Sequence, residues 1–221
     1  MFHAPLIAFE GLDGAGKSSL CRRIHEHLSE TNNKLSNLLY TPELISFPRR
    51  HTPTGEILHK YLTKELELDQ LVAHHLFSAN RWEIKEHVEY LLQSHHPVIL
   101  DRYVTSGIAY TVAKGNFSID FCKQFNVGLP RPDLTIYLKK ESETSHLQTR
   151  PSRERYETQP FQEKVKNVID ELEEDEDTWF TIYVRDRSSK SNAAVQIAAI
   201  KAVDRVISKF QQAPIPISYY Q

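Results

Sequence analysis

Short apolar runs recur along the chain, and each is followed by polar or turn-forming residues. Five of these runs have the length of strands and lie at residues 6–9, 38–40, 98–100, 134–138 and 180–184. Apolar residues that continue for a few positions without alternation are typical of strands covered on both faces. The pattern therefore predicts a parallel five-stranded sheet in the interior of the molecule.

Helical spacing occupies the stretches between these runs. Leu20, Ile24 and Leu28 recur every four residues, residues 71–92 carry a largely helical pattern, and residues 193–210 form another helix. Strands that alternate with helices form βαβ units, whose helices cover both faces of a parallel sheet. We therefore expect an α/β fold built as a single domain.

Two segments depart from this alternation. Residues 141–157 are polar, rich in arginine and follow a predicted strand, so they are expected to form a short mobile lid. Residues 213–221 contain prolines, which cannot continue the preceding helix. The single domain is therefore expected to span residues 1–212, and the tail after it to be either loose or docked on the surface.

Composition and charge narrow the class of protein. The chain has 221 residues, of which 40% are hydrophobic and 25% charged, and a formal net charge of −2. These values are ordinary for a globular domain, and no excess of positive charge indicates a nucleic acid or an anionic membrane as partner. Since no apolar run has the length of a membrane span, we expect a cytoplasmic protein, with the nucleus as an open alternative.

Cysteine and histidine residues give little indication of a disulfide or a metal site. Cys21 and Cys122 are far apart in sequence, so both are expected to be reduced thiols. The histidine pairs at 74–75 and 95–96 would point in different directions on any regular element, which disfavours metal ligation. The acidic run 171–177 is interpreted as a solvated helix end.

A glycine-rich motif carries the strongest chemical signal. Residues 11–18 match G-x-x-x-x-G-K-[ST] at every fixed position, between a predicted strand and a predicted helix. The glycines let successive N–H groups point at phosphate oxygens, and the helix N-terminus adds its dipole. Lys17 is expected to reach the β- and γ-phosphates of ATP, and the Ser18 hydroxyl to ligate Mg²⁺. The predicted ATP-binding residues are Gly11, Asp13, Gly14, Ala15, Gly16, Lys17, Ser18 and Ser19.

A second polar cluster, Asp101-Arg102-Tyr103, comes directly after the strand predicted at 98–100. Ligands of open α/β sheets bind at the carboxyl ends of strands, so this cluster is expected near the phosphate-binding loop. Asp101 is a candidate Mg²⁺ ligand, directly or through water, and Arg102 a candidate bidentate clamp on a phosphate. A structural ion pair at the strand end is the alternative interpretation.

Five further motifs give the chain a family resemblance. They are FPRR at 47–50, FSANRWE at 77–83, DRYVTSG at 101–107, VGLPRPDL at 127–134 and ERYE at 154–157. Together with the phosphate-binding loop they resemble the thymidylate kinases, closest to the eukaryotic and poxviral branch, over about residues 6–156. The resemblance implies a P-loop kinase fold, transfer of the γ-phosphate of ATP to dTMP, and a homodimer.

The resemblance also implies roles for residues of an acceptor site. Phe77 resembles the residue that stacks on thymine, and Arg81 the donor to a base carbonyl. Four positions apart, they would share one helix face, although an aromatic residue on such a helix more often belongs to the core. Arg50 and Arg102 resemble the clamps on the dTMP phosphate. The predicted dTMP-binding residues are Asp13, Phe47, Arg50, Phe77, Arg81, Arg102, Ser106, Gly107, Tyr110 and Tyr156, with Gln162 on the same side.

The chain departs from the family pattern at two positions. The eukaryotic branch usually has a basic residue directly after the P-loop aspartate, where this chain has Gly14. Bacterial relatives place catalytic arginines in the lid instead, so Arg150 or Arg153 is expected to supply the transition-state cation. Arg49 stands where many eukaryotic relatives have a carboxylate or amide, which predicts an altered phosphate affinity or acceptor range. The predicted catalytic residues are Asp13, Lys17, Arg102, Arg150 and Arg153.

Three other functions remain open at this point. A deoxynucleoside kinase would need a carboxylate base near the 5′-hydroxyl, whereas Arg49 and Arg50 favour a phosphorylated acceptor. Another nucleoside-monophosphate kinase, with a broader acceptor range, would share the same phosphate-binding loop. A catalytically silent nucleotide-binding module is disfavoured by the presence of Lys17, Ser18 and Asp101.

Overall fold

The computed structural model describes residues 3–32, 41–141, 155–156, 158–174, 178–185, 189–213 and 215–221. The strands are β1 (Leu6–Gly11), β2 (Glu43–Ser46), β3 (Val98–Asp101), β4 (Leu134–Lys140) and β5 (Trp179–Val184). The helices are α1 (Lys17–Asn32), α2 (Pro53–Leu62), α3 (Gln70–Trp82), α4 (Lys85–Gln93), α5 (Val104–Val112), α6 (Ile119–Gln124), α7 (Gln159–Glu174) and α8 (Ser189–Gln212). Each described strand is thus followed by one or more helices, as the apolar pattern predicts.

The five described strands form one parallel sheet in the order β2-β3-β1-β4-β5. In the centre, Ile7 of β1 lies opposite Ile99 of β3 on one side and Leu134 of β4 on the other. The predicted α/β fold with a parallel five-stranded sheet is confirmed. Because all strands point the same way, their carboxyl ends bring Asp101, Lys140 and the phosphate-binding loop to one edge of the sheet.

The edge strand β2 is the element that the apolar pattern did not locate. The strand expected at residues 38–40 lies outside the described residues. β2 pairs with β3 through Glu43 opposite Val98 and Ser46 opposite Asp101. Glu43 and Ser46 are polar and exposed, so this short edge strand carries too little apolar sequence to be recognised.

The predicted helices are confirmed in type and differ in their bounds. The stretch at 71–92 consists of two helices, α3 and α4, separated by Glu83 and Ile84. Ile84 is buried in the core, so the break between the helices keeps an apolar side chain inside. The helix expected at 193–210 lies within α8, which begins and ends slightly outside those bounds.

Alternate residues of the central strand face opposite layers of the molecule. Leu6 and Ala8 pack with the layer formed by α4, α5 and α7, whereas Ile7 and Phe9 pack with α1 and α8. This is the ordinary alternation of a strand, and it places the next residue, Glu10, towards α5. Both cysteines are buried and free, as expected.

The segment 215–221 lies against the loop that precedes β4. The Arg131 N–H donates to Ser218 O at 2.8 Å, and Pro130 forms an isolated antiparallel bridge with Tyr219. Of the two expectations for this tail, docking is therefore confirmed for its described residues. Most of the expected lid, residues 142–154 and 157, lies outside the described residues. Within the part of the chain that is described, no helix is both long and apolar enough to cross a membrane.

Candidate active site

Two connected cavities open at the carboxyl edge of the sheet. The inner cavity has a volume of about 260 Å³ and lies between α3, α5 and Tyr156. The outer cleft, of about 610 Å³, runs from the start of α1 along the ends of β2 and β3. The residues lining both are Ser18, Phe47, Pro48, Arg50 and Arg102. All ten residues predicted to bind dTMP line the inner cavity.

The phosphate-binding loop joins β1 to α1, which begins at Lys17. Gly11 has a φ of 138°, and a Cβ there would lie 2.6 Å from the Leu138 carbonyl oxygen of β4. Only glycine permits this close approach between the loop and the neighbouring strand. The first turn of a helix has no internal partners for its amide groups, so the start of α1 attracts anions.

Lys17 is a buried cation beneath this loop. Its Nζ donates to the Leu12 carbonyl oxygen at 2.6 Å, and only 5% of its surface is exposed. Burial, followed by the positive charge of Arg102, lowers the pKa of Lys17 to about 7, against the opposing effect of Asp13. An anionic ligand at the loop would therefore favour the protonated side chain.

Arg102 lies at the junction of the two cavities. Its φ of 66° is in the left-handed region, which residues other than glycine rarely adopt, and its N–H donates to Phe9 O at 3.0 Å. The guanidinium donates to Gly11 O at 3.2 Å, to the Ser106 hydroxyl at 3.3 Å and to the Asp13 carboxylate. Strained backbone conformations cluster at functional sites, which supports a functional role for Arg102.

Asp13 is bound by several side chains and is not free to act as a base. Besides pairing with Arg102, it accepts hydrogen bonds from Tyr110 Oη and Gln162 Nε2, both at 2.9 Å. Burial acts to raise the pKa of Asp13, but Arg102, Lys17 and these hydrogen bonds together lower it below the ordinary value. Asp13 is therefore an ionised carboxylate that orients Arg102 and Tyr110.

Glu10 is a buried carboxylate that the sequence analysis missed. It accepts the backbone N–H groups of Tyr103 at 2.9 Å and Ser106 at 3.3 Å, as well as the Ser106 hydroxyl. Burial raises the pKa of Glu10, although Ser106 and Arg102 oppose the rise. These bonds hold the first turn of α5 at the wall of the inner cavity. A charged residue at the end of an apolar strand, directly before the phosphate-binding loop, was the signal available in the sequence.

Helix α3 brings Phe77 and Arg81 to the inner cavity, one turn apart. Phe77 is half-buried, and its ring has no ring partner among the described residues. Arg81 is buried and donates through Nε at 3.2 Å and Nη2 at 2.8 Å to Asn126 Oδ1; burial lowers its pKa to about 10. An aromatic face and a positioned donor are what a planar pyrimidine base requires.

Two further residues hold Arg81 in place. A Cβ at Gly107 would lie 2.6 Å from Arg81 Nη1 and 2.8 Å from Nη2, so glycine is required for the guanidinium to pack there. Asn126 is fully buried, and its Nδ2 donates to Cys122 O at 3.0 Å. Gly107 was predicted from the family motif, whereas Asn126 lies outside the quoted motifs and was missed.

Asn80 organises the loop that carries Arg50. Its Oδ1 accepts the Arg49 N–H at 2.7 Å, and its Nδ2 donates to the Thr52 hydroxyl at 2.9 Å. The exposed Arg50 lines both cavities, whereas Arg49 lines the outer cleft alone. Asn80 was quoted within the family motif without a role, and the structure shows it as the buried support of this loop.

The described end of the lid closes one side of the inner cavity. The Tyr156 and Tyr61 hydroxyls are 2.6 Å apart, and Lys114 Nζ lies 5.0 Å from the centroid of the Tyr156 ring. Burial, followed by the charge of Arg155, lowers the pKa of Lys114 to about 8. Lys114 is a cavity-lining cation that the sequence analysis missed. Arg155 itself is bound away from the cavity, with Nη2 donating to Glu67 at 2.7 Å.

The two predicted Mg²⁺ ligands, Ser18 and Asp101, line the same outer cleft. Their hydroxyl and carboxylate groups are the oxygen donors that Mg²⁺ prefers. The described residues contain no group of three or more histidine, cysteine, aspartate or glutamate side chains suited to a metal. A cation held there would therefore take its remaining ligands from water or a bound phosphate.

The structure brings most predicted site residues together, with a few left apart. Arg150 and Arg153 lie outside the described residues. Ser19 is exposed, lines neither cavity, and accepts a hydrogen bond from Arg22 at 3.4 Å. Gly11, residues 14–16 and Lys17 also line neither cavity. The predicted contribution of Gly11 and residues 14–16 would come through backbone groups of the loop, and that of Lys17 through its buried amine.

Known proteins resemble this chain over most of its length. The family model described as thymidylate kinase matches residues 9–195. The thymidylate kinase of Homo sapiens is 39% identical over 170 residues, which cover 77% of each chain. The thymidylate kinase of Schizosaccharomyces pombe is 38% identical over 170 residues, again 77% of each chain.

Solved structures give the same result. The thymidylate kinase from Candida albicans is 32% identical, with a TM-score of 0.80 and complete coverage of both chains. The thymidylate kinase from Ehrlichia chaffeensis shares the fold, with a TM-score of 0.69 and 22% identity over 91% of this chain and 99% of that one. The chain belongs to the thymidylate kinase family.

Proposed function

We propose that this chain is a dTMP kinase, which transfers the γ-phosphate of ATP to dTMP and yields dTDP and ADP. The observation that carries the proposal is the inner cavity beside the phosphate-binding loop. Phe77 and Arg81 offer it an aromatic face and a donor for thymine, and Arg50 and Arg102 offer two guanidinium groups for a phosphate. Because Arg50, Arg102 and Ser18 line both cavities, the acceptor phosphate would lie close to the outer cleft, where ATP is expected to bind.

The charges of the inner cavity favour a phosphorylated acceptor over a nucleoside. A nucleoside acceptor would need a carboxylate to take the proton of its 5′-hydroxyl. Among the described residues that line the cavity, Asp13 is the one carboxylate. Its pairing with Arg102 and its lowered pKa make it a weak base. A phosphate acceptor needs no such base, because its attacking oxygen is already anionic or nearly so at neutral pH.

Catalysis is proposed to rest on alignment and charge neutralisation, since phosphoryl transfer requires little covalent help. Lys17 would bind the β- and γ-phosphates once the anions restore its charge. Arg102, oriented by Asp13, would hold the acceptor phosphate in line with the donor. Closure of the cavity around Tyr156 would keep water from competing with the acceptor.

Mg²⁺ is proposed to accompany ATP, with Ser18 and Asp101 on its protein side. Such an ion would supply positive charge that neutralises the charge developing on the phosphates during transfer. The outer cleft supports this assignment because both oxygen donors line it. A site with few protein ligands suits Mg²⁺, which usually retains several waters.

The transition-state cation is proposed to come from the lid, through Arg150 or Arg153. Gly14 gives the phosphate-binding loop no arginine. Arg155 is occupied by Glu67 and the Tyr61 ring, which makes it a poor candidate. Among the described residues, Lys140 is the competing source, since its Nζ donates to the Asp13 carbonyl oxygen at 3.0 Å.

The domain bounds, the oligomeric state, the partners and the location in the cell are also proposals. Residues 1–212 would form the kinase domain, and the family membership favours a homodimer. The substrates would be the small molecules ATP and dTMP, with no nucleic-acid or membrane partner, in the cytoplasm. The formal net charge of −2 supports the absence of a polyanionic partner.

Transfer of label tests the proposal. ATP labelled at the γ-phosphate is incubated with Mg²⁺, the protein and one nucleoside monophosphate at a time, and the products are separated. The proposal predicts labelled dTDP with dTMP. Label recovered solely as inorganic phosphate, or solely in a different nucleoside diphosphate, would contradict it.

A further inference from the structure

Residues 215–221 return to the back wall of the inner cavity. This segment, here termed the C-terminal strap, is hydrogen bonded to residues 128–131. Gly128 N–H donates to Tyr220 O at 2.9 Å, and Tyr220 N–H donates to Leu129 O at 3.0 Å. The strap is thus joined to the loop by paired backbone bonds, which fix the register of its side chains.

Two neighbouring tyrosines of the strap have different surroundings. Tyr220 is half-buried, and its ring lies 6.3 Å from the ring of Tyr103, at an interplanar angle of 46°. Tyr219 is 40% exposed, and its ring lies 5.5 Å from Lys85 Nζ. The inward tyrosine therefore contacts the site, whereas the outward one contacts a surface helix.

The contact of Tyr220 continues to the cavity. Tyr103 lines the inner cavity, and its ring lies 5.5 Å from that of Phe47, which lines the cavity as well. Ile217 and Tyr220 both pack against the core cluster that contains Tyr103 and Phe47. The strap thus supports, from behind, two aromatic side chains of the wall that faces the acceptor.

The strap is also connected to Arg81, through hydrogen bonds of the loop at residues 128–131 and of Asn126. The loop that the strap binds includes Leu129, which is fully buried and whose N–H donates to Asn126 O at 3.0 Å. Asn126 accepts both hydrogen bonds from Arg81. Tyr103 and Tyr220 also lie close enough to Arg81 to oppose the lowering of its pKa by burial. The strap and the cavity-lining guanidinium therefore belong to one packed unit.

We infer that the C-terminal strap positions the acceptor side of the site, and that Tyr220 is a positioning residue for acceptor affinity. The inference rests on the proposed function, because the acceptor is taken to be dTMP. Tyr220 acts through Tyr103 and Phe47 and touches neither substrate. Its loss would loosen the acceptor wall and leave the phosphate-binding loop, to which the strap makes no described hydrogen bond, unchanged.

A purely structural role for the strap makes a different prediction. Loss of packing alone would lower the melting temperature and reduce the amount of active protein, with KM values for both substrates retained. A positioning role would raise KM for dTMP and leave KM for ATP unchanged. The ratio of the two KM changes therefore separates the two roles.

The experiment compares Tyr220→Ala with Tyr219→Ala, its matched control on the same strap. Steady-state kinetics with ATP and dTMP give both KM values for each variant and the wild type. Aromatic pairs contribute enough that Tyr220→Ala should raise KM for dTMP about three- to tenfold. KM for ATP should stay within about twofold, Tyr219→Ala should resemble the wild type, and Tyr220→Phe should restore KM for dTMP because it keeps the ring.

The failures of the two proposals are distinguishable. A wild-type protein that does not phosphorylate dTMP overturns the proposed function and this inference with it. If the wild type is active, equal KM values for dTMP in Tyr220→Ala and Tyr219→Ala overturn the strap's role alone, as do equal increases for both substrates. Should Tyr220→Ala fail to fold, Tyr220→Leu, which retains apolar volume, is measured against the same criteria.

Discussion

At the scale of single residues, burial lowers the pKa values of several basic side chains in the site. Burial is the largest cause that lowers the pKa values of Lys17, Lys114 and Arg81, to about 7, 8 and 10. Charges in such surroundings are screened less by water than charges on the surface. An anionic ligand is therefore expected to gain more from them, and to change their protonation as it binds.

Replacement of Lys17 by alanine is expected to abolish turnover. The variant loses the cation that would neutralise the β- and γ-phosphates, so kcat should fall by at least about 100-fold, the scale for a single lost electrostatic contact. The measurement is steady-state phosphorylation of dTMP, with circular dichroism to show that the variant is folded. Lys139→Ala serves as control, because Lys139 of β4 pairs with Asp170 of α7 and lines neither cavity. Near-normal turnover in folded Lys17→Ala would contradict the assignment of the loop.

Binding of ATP is expected to take up protons above neutral pH. With a pKa of about 7 in the free protein, Lys17 is mostly neutral at pH 8. The phosphates raise this pKa, so binding at pH 8 should take up as much as about one proton, and affinity should fall as pH rises from 7 to 9. Titration calorimetry in buffers of different ionisation enthalpy measures the uptake. The same uptake in Lys17→Met, which cannot titrate, would show that another group is responsible.

Replacement of Phe77 by alanine is expected to weaken dTMP binding more than ATP binding. Stacking on a base contributes about 1–3 kcal/mol, and only the acceptor would lie against this ring. Titration calorimetry with each nucleotide measures both affinities. Phe117→Ala is a suitable control, because Phe117 is half-buried and stacks on Phe121 away from the cavity. Equal losses of affinity for dTMP and for ATP would indicate that Phe77 is a structural residue of the core.

At the scale of elements, the site forms where the ends of strands and the starts of helices meet. β1 leads into the phosphate-binding loop, β3 into Asp101 and Arg102, and α5 begins at the inner cavity. Each of these elements carries side chains that the motifs predict. The groups that hold those side chains come from other parts of the chain, as Asn126, in the segment after α6, does for Arg81. Single motifs therefore locate the site but not its supporting contacts.

The lid supplies the prediction at this scale. If Arg150 or Arg153 reaches the phosphates only on closure, the double Arg150→Ala, Arg153→Ala variant should lose kcat strongly while substrate KM values change little. Arginine fingers contribute about 10³–10⁵ in rate. Arg155→Ala is the control and should lower stability instead, since Arg155 bonds Glu67 and the carbonyl oxygens of Tyr61 and Leu66.

The test is kcat for each single variant, the double variant and Lys140→Ala. A double variant that keeps kcat within about threefold of the wild type, or about 0.7 kcal/mol of barrier, would contradict the role of the lid. A large loss in Lys140→Ala would then identify the cation that lies beside the Asp13 carbonyl.

At the scale of the whole molecule, the sequence predicted the α/β architecture because four of its strands are fully or largely apolar. The position of β2 was not predicted, because half of its residues are polar and exposed at the sheet edge. All ten predicted acceptor residues line one cavity, since ordered motifs from a shared family carry three-dimensional information. Glu10, Asn80, Lys114 and Asn126 were given no role, because their importance comes from partners distant in sequence.

Choice of acceptor tests the proposed activity most directly. The specificity constant kcat/KM of the wild type is measured with ATP and Mg²⁺ for dTMP, for thymidine and without an acceptor. A cavity with Arg50, Arg102 and Lys114, and with Asp13 paired to arginine, predicts efficient turnover of dTMP. It predicts a value at least about 100-fold lower for thymidine, because the cations that line the cavity lose their phosphate partner. Thymidine turned over as well as dTMP, or ATP consumed at the same rate without any acceptor, would contradict a dTMP kinase.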